Sequence, residues 1–336
     1  MNIKADFKED FIDLIFTEID KLKKMDFHFD TFPEWEPKRI EKLKEIIELE
    51  KKAGEDYNYE SDSLDKEKLS RNYRDDMVHQ YFNLKHKIPA QQRRKIFKCA
   101  NFSCPKELED GLSILEKKIE DGEYLLPHLS RKIFDPKFSD YMFYDFGLVH
   151  FHLGTKQSAK NPLLIEGTKE ILYALLNRDS CYFIRIDDHG KWDDLMLLEE
   201  LKRDFPEVLE LWKTSGTPIW KPTKEERKEL LQFQINSPIE IGGEYYMPPG
   251  MGVNTAGTST WAVMEMNQYF HYCKKTQNII VTFIDKYLEK IEADNSCKLQ
   301  DMDLTLKELE PIIVYDNNNK LYIEYNPITC AFHVHN

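Results

Sequence analysis

Three stretches decide the fold of this chain: YMFYDFGLVHFHLGT at 141–155, KEILYALL at 169–176 and SCYFIRIDD at 180–188. Each is rich in aromatic, β-branched and aliphatic residues, and the turn-like sequences KQSAKNP and NRDS separate them. The pattern predicts three consecutive strands in an antiparallel meander. A helix is expected next over 193–212, DDLMLLEELKRDFPEVLELW, with Leu195, Leu198 and Leu201 on one face.

On the N-terminal side, residues 1–84 read as helical. Phe11, Leu14, Ile15 and Ile19 recur at helical spacing, as do Ile40, Leu43, Ile46, Ile47 and Leu49, with Pro33 and Pro37 between the two runs. The polar, acidic stretch AGEDYNYESDSLD (53–65) reads as a mobile loop. Residues 105–135 predict a helix, ELEDGLSILEKKIEDG, and then a short second one, LPHLSRKIF. Beyond the meander, 223–234 reads as a helix, SPIEIGGEYYMPP (237–249) as a hairpin turning at Gly242–Gly243, and 259–294 as a long helix. The end, PIIVYDNNNKLYIEYNPITCAFHVH, reads as a terminal hairpin or small sheet turning at Asn317–Asn319. The expected class is α+β. It comprises a helical N-terminal region (1–84), a central domain with a small antiparallel sheet flanked by helices (85–213), and a C-terminal α+β region with a long helix (214–336).

Composition bounds the function. The 336 residues carry 47 basic and 60 acidic side chains, a net charge of −13, and 41% are hydrophobic. That is enough apolar material for a packed core, and the charge excludes a histone-like positive coat. The charge is segregated, however. Residues 1–84 hold 15 basic and 22 acidic residues, whereas KHKIPAQQRRKIFK (85–98) holds Lys85, Lys87, Arg93, Arg94, Lys95 and Lys98 and no acid. This island reads either as a solvated helix face or as a local, salt-sensitive phosphate-binding strip. The acidic N-terminal stretch MNIKADFKEDFIDLIFTEID predicts neither a signal peptide nor a spanning helix, so a cytoplasmic chain with no membrane partner is expected. The six scattered cysteines, Cys99, Cys104, Cys181, Cys273, Cys297 and Cys330, form no CxxC pair and read as reduced thiols.

The strongest chemical signal is His150–Phe151–His152. Alternate residues of a strand share a face, so both imidazoles point one way. Thr155 and Lys156 lie just beyond, and His189 ends the third stretch within Asp187–Asp188–His189–Gly190–Lys191–Trp192. A shared sheet edge would gather three histidines with cations and an aromatic side chain. Such a set suits cleavage of a phosphodiester without metal or other cofactor: one imidazole activates a 2′-hydroxyl, another protonates the leaving oxygen, and a cation steadies the phosphorane. The same histidines, with Asp187, could instead chelate zinc, iron or manganese in a metal-dependent hydrolase or oxygenase. A third reading leaves them as ordinary half-buried sheet residues of a non-catalytic interaction module.

A second candidate is the loop Pro249–Gly250–Met251–Gly252–Val253–Asn254–Thr255–Ala256–Gly257–Thr258–Ser259–Thr260. Glycine-rich turns before a helix offer N–H groups to an anion, and Thr258 or Ser259 makes a good N-cap. Gly257, Thr258 and Ser259 are therefore candidate phosphate contacts. Ser259 or Thr260 as a nucleophile would need a base that the sequence does not identify. The loop is neither a Walker A loop nor a dinucleotide fingerprint. Asp145–Phe146–Gly147 spells a kinase signature without the accompanying loops. The second HxH, His333 and His335, reads as a strand end, and Met264 and Met266 read as core fillers.

The pieces HFHLG, EILYALL and CYFIRIDDHGKW, about residues 147–195, resemble RelE-type ribonuclease toxins, especially the YafQ branch. The resemblance implies that His150 or His152, His189 and the aromatic Trp192 contact RNA and carry acid–base work. The leading expectation is thus a metal-independent endoribonuclease of toxin-like or antiviral-defence type. Its candidate catalytic residues are His150, His152, His189, Lys156 and Arg185. Its candidate substrate contacts are Trp192, Thr155, Arg93, Arg94, Lys95, Gly257, Thr258 and Ser259. Its expected partners are RNA and a protein partner or antitoxin.

Overall fold

A computed structural model describes residues 1–29, 66–190, 194–216, 218–295 and 298–335, with the side chains of 66–72 not included. The second expected N-terminal helix, the acidic loop 53–65, Trp192 and Cys297 lie outside these residues. The chain is α+β, as its patterning predicts. It divides into two compact units that differ from the three expected segments. A terminal unit combines Met1–Tyr81 with Glu265–Asn336, and a central unit runs from Phe82 to Met264.

In the terminal unit, β1 (Ile3–Ala5) pairs in parallel with β8 (Met302–Leu309). An antiparallel run then continues through β9 (Ile312–Asp316), β10 (Leu321–Asn326) and β11 (Ala331–His335). The expected terminal hairpin is β9–β10. It belongs to a five-stranded sheet whose strand β8, MDLTLKEL, alternates buried and half-buried side chains in its first half. Helix α1 (Phe7–Lys24) buries Phe7, Ile12, Ile15 and Ile19. The long helix α6 (Thr260–Asp294) sends Cys273, Ile280 and Ile284 into the same core as Leu304, Val314 and Ile323.

Helix α2 (Lys66–Lys87) belongs to the terminal unit as far as Tyr81. In the central unit its last residues, from Phe82, lead into β2 (Lys95–Lys98), which pairs in parallel with β5 (Ser180–Asp188). The predicted meander is present: β3 (Leu148–His152), β4 (Glu170–Leu176) and β5 form an antiparallel run within a sheet of order β2-β5-β4-β3. Only part of 141–155 is strand, because Met142–Phe146 forms a single π-helical turn ahead of β3. Ile171, Tyr173 and Leu175 of β4 pack with Leu197, Leu198 and Leu201 of α4 (Met196–Asp204). That helix is shorter than the expected 193–212. Pro206 removes a backbone donor, and the chain continues in two short 3₁₀ turns. Helix α5 (Lys224–Gln232) begins with a capping box formed by Thr223 and Glu226. The hairpin β6–β7 (Ile239–Ile241, Glu244–Tyr246) turns at Gly242–Gly243 as expected.

Helix α3 (Glu109–Asp121) fixes the end of β3 by direct backbone contact. A Cβ on Gly111 would lie 1.7 Å from the Leu153 carbonyl oxygen. Gly111→Ala is therefore expected to cost at least about 1–3 kcal/mol, because neither the helix nor the strand backbone gives way easily. A lowered urea midpoint with an unchanged slope is the measurement that checks it.

Candidate active site

The meander brings the three predicted histidines together. His150 and His152 project from one face of edge strand β3, opposite Tyr173 and Ile171 of β4. His189 sits one residue past β5, at a turn completed by Gly190 with φ of 95°, a backbone state that favours glycine. It reaches across the start of β4. Ring centroids lie 6.5 Å apart for His150 and His152, 6.1 Å for His150 and His189, and 5.0 Å for His152 and His189. One substrate phosphodiester could touch all three.

Thr168, in the loop before β4, sets the orientation of two of these rings. Its N–H donates to His152 Nδ1 at 3.1 Å, so neutral His152 carries its proton on Nε2. The Thr168 carbonyl accepts from His189 Nε2–H at 3.3 Å, so a proton that His189 exchanges with a substrate is carried on Nδ1. The hydroxyl of Thr168 accepts from the Leu153 N–H and donates to the Glu170 carbonyl, so the loop is tied to both strands. Thr168 carries no signal in the sequence, since its work is done mainly by backbone atoms.

His128, also not anticipated, is fully buried, and its Nδ1 donates to the His152 carbonyl at 2.9 Å. His150 borders a cavity of about 30 Å³, room for about one water, lined also by Lys132, Ser130, Asp140 and Phe143.

Burial dominates the titration of these imidazoles. It lowers the His150 pKa, with Asp140 opposing and His189 and Lys132 reinforcing. Burial lowers His152 to about 4, helped by His189 and then His150. His128 is lowered for the same first reason. His86, packed against Phe143, falls to about 4 through burial and then Lys87.

An unfolded imidazole titrates near 6.5, so below about pH 6.5 the unfolded chain takes up protons that these folded histidines refuse. Stability is complete above that value and falls as pH drops toward 4. Thermal midpoints measured from pH 7 to 4.5 are expected to decline, and His86→Asn is expected to flatten the decline.

Other sequence candidates are placed differently. Arg185 is half-buried and tied to Glu200, to Asp187 at 3.4 Å and to Asp194 at 3.9 Å. Its charge is met by three carboxylates, which raise its pKa chiefly through the Glu200 hydrogen bond, so it braces β5 against α4. Asp187 is held by Arg185 and accepts from the Asp188 N–H, and it shares a cross-strand row with Ile171 and His152. Among the described residues, no group of three His, Cys, Asp or Glu side chains is arranged to hold a metal ion. The five described cysteines are free thiols.

Thr155 and Lys156 are exposed in the loop after β3. Lys169 follows Thr168 and pairs with Asp188 at 3.1 Å.

The basic island is split by burial. Arg93 and Lys95 are exposed, and Lys98 pairs with Glu116. Arg94 turns inward to the carbonyls of Asn177, Ala90 and Gln92. Lys87 is buried, donates to the carbonyls of Asp135, Pro136 and Phe138, and is lowered to about 8 by burial.

The glycine loop is likewise closed. The N–H groups of Ala256, Gly257, Ser259 and Thr260 are already bonded, to Asn254, Asn83 and Gly252. Thr258 Oγ1 accepts from Asn254 Nδ2. Ser259 does find a base, His86 Nδ1 at 3.0 Å, but its hydroxyl is fully buried and accepts from the Ala262 N–H at the start of α6. The pair is part of a packed network with Asn83 and Tyr144. The loop's expected anion contacts are thus replaced by internal ones.

No family model, no curated protein and no solved structure matches the chain.

Proposed function

We propose that the chain is a metal-independent endoribonuclease of toxin-like or antiviral-defence type, acting on RNA phosphodiesters by histidine acid–base chemistry. The observation that carries this reading is the approach of three imidazoles to within 5.0–6.5 Å at one end of a braced sheet. His150, kept neutral by burial, takes the proton of a 2′-hydroxyl. The freed oxygen attacks the adjacent phosphorus, and the departing 5′-oxygen receives a proton from His189, the exposed member of the set. The Nε2–H of His152 donates to a non-bridging oxygen as charge builds there. Lys156, in the neighbouring loop, adds positive charge, Trp192 stacks on a base, and exposed Arg93 and Lys95 make local phosphate contacts.

The products are a 2′,3′-cyclic phosphate and a 5′-hydroxyl. Incubation of the purified protein with end-labelled RNA, with and without EDTA, tests this. Cleavage that survives EDTA and leaves cyclic phosphate ends is expected. Absence of cleavage would sink the reading, and EDTA-sensitive cleavage would transfer the histidines to a metal-dependent hydrolase.

A further inference from the structure

The terminal unit holds an open cleft of about 510 Å³, within the size range of small-ligand sites. Its walls come from α6, the β8–β9 turn and the β10–β11 turn. Tyr272 and Tyr325 supply aromatic surface, and Leu309, Ile312 and Ile328 supply apolar surface. Both rings are held in place: Tyr325 is buried and stacks on Phe332 with centroids 4.6 Å apart, and Tyr272 packs against the core. Ile328 is 90% exposed, an aliphatic side chain left uncovered at the rim.

The charged lining has one sign. Glu310 and Glu324 border the cleft, with His333 opposite Glu324 on the neighbouring strand, and no lysine or arginine does. Glu324 Oε1 lies 3.1 Å from His335 Nε2. Glu310 forms no ion pair among the described residues. Its charge reinforces the upward shift that burial imposes on the Tyr269 and Tyr272 hydroxyls, so it stands close to both rings.

A carboxylate and an aromatic face both attract a cation and both repel an anion. The apolar walls favour a ligand with a hydrocarbon body over a bare metal ion, which would need several convergent oxygens. We propose that this cleft binds an organic cation, an ammonium group on an apolar stem. The ammonium meets Glu310 and Glu324, and the stem lies along Tyr272, Tyr325 and Ile328.

The test is calorimetric titration of the full chain with n-hexylammonium chloride, and in parallel with n-hexanol. Saturable one-to-one binding of the ammonium is expected. It should weaken at least about tenfold in Glu310→Gln/Glu324→Gln, as loss of charge-assisted contacts predicts. Ile328→Ser, at a fully solvated rim position, should weaken binding without touching the fold. Equal binding of the alcohol, unchanged binding in the carboxamide variant, or no saturable heat with the ammonium would overturn the proposal.

Discussion

Asp145→Ala is expected to destabilise the central unit by about 3–5 kcal/mol, the cost of leaving one member of a buried ion pair uncompensated. Asp145 lies in the π-helical turn before β3, and its carboxylate is 2% exposed. It pairs with the Arg227 guanidinium of α5, which is 10% exposed and also lies over the Phe146 ring at 5.4 Å. Burial lowers the Arg227 pKa to about 10, still far above neutrality, so alanine at 145 strands a cation in the interior. The backbone of the same turn is engaged as well, because the Asp145 carbonyl accepts from the Gly250 N–H. A fall in the urea midpoint with an unchanged slope would register a loss of stability without a change in the denatured state. The double change Asp145→Leu/Arg227→Met removes both charges and is expected to recover most of the loss, since a buried pair contributes little over apolar residues of similar volume. A single variant as stable as the parent would show that water reaches Arg227.

This pair also shows where sequence reading stops. Asp145–Phe146–Gly147 can be set aside as a chance kinase signature, but nothing near it names Arg227, 82 positions away, as its partner. The meander is legible because β3, β4 and β5 are apolar runs punctuated by polar turns. The shared face of His150 and His152 follows from the two-residue period of a strand. The arrival of His189 beside them depends on the relative lengths of β4 and β5 and on a bulge between Tyr173 and Ala174, which composition does not encode. Lys87 and Arg94 read as members of a charged strip. In fact their long stems carry the charge inward to backbone carbonyls, and a charge count is blind to that choice. The alternation in MDLTLKEL was open to a period-two reading, whereas β1, three residues long, pairs with a strand some 300 positions away and gives no local signal.

The largest effect on activity is expected at the histidines. His150→Ala and His189→Ala should each lower kcat by about 10²–10⁴, the usual contribution of a positioned general base or acid. The double variant should fall well short of the product of the two losses, because acid and base act on one transition state. KM should move little, since phosphate contacts lie elsewhere. The pH profile adds a separate constraint. A general base works only when neutral, and burial lowers the His150 pKa from its ordinary value, so the acid limb of kcat/KM should fall below pH 6.5. Asp140 faces His150 across the small cavity and opposes that lowering. Asp140→Asn, which keeps an acceptor for the Phe143 N–H, should therefore displace the acid limb to still lower pH while leaving the plateau rate near that of the parent. Lys132 acts in the opposite sense, so Lys132→Met should move the limb upward. Opposite displacements from these two substitutions would tie the limb to His150. A limb that neither substitution moves, together with full activity in His150→Ala/His189→Ala, would reduce the imidazole cluster to a packing feature of the sheet end.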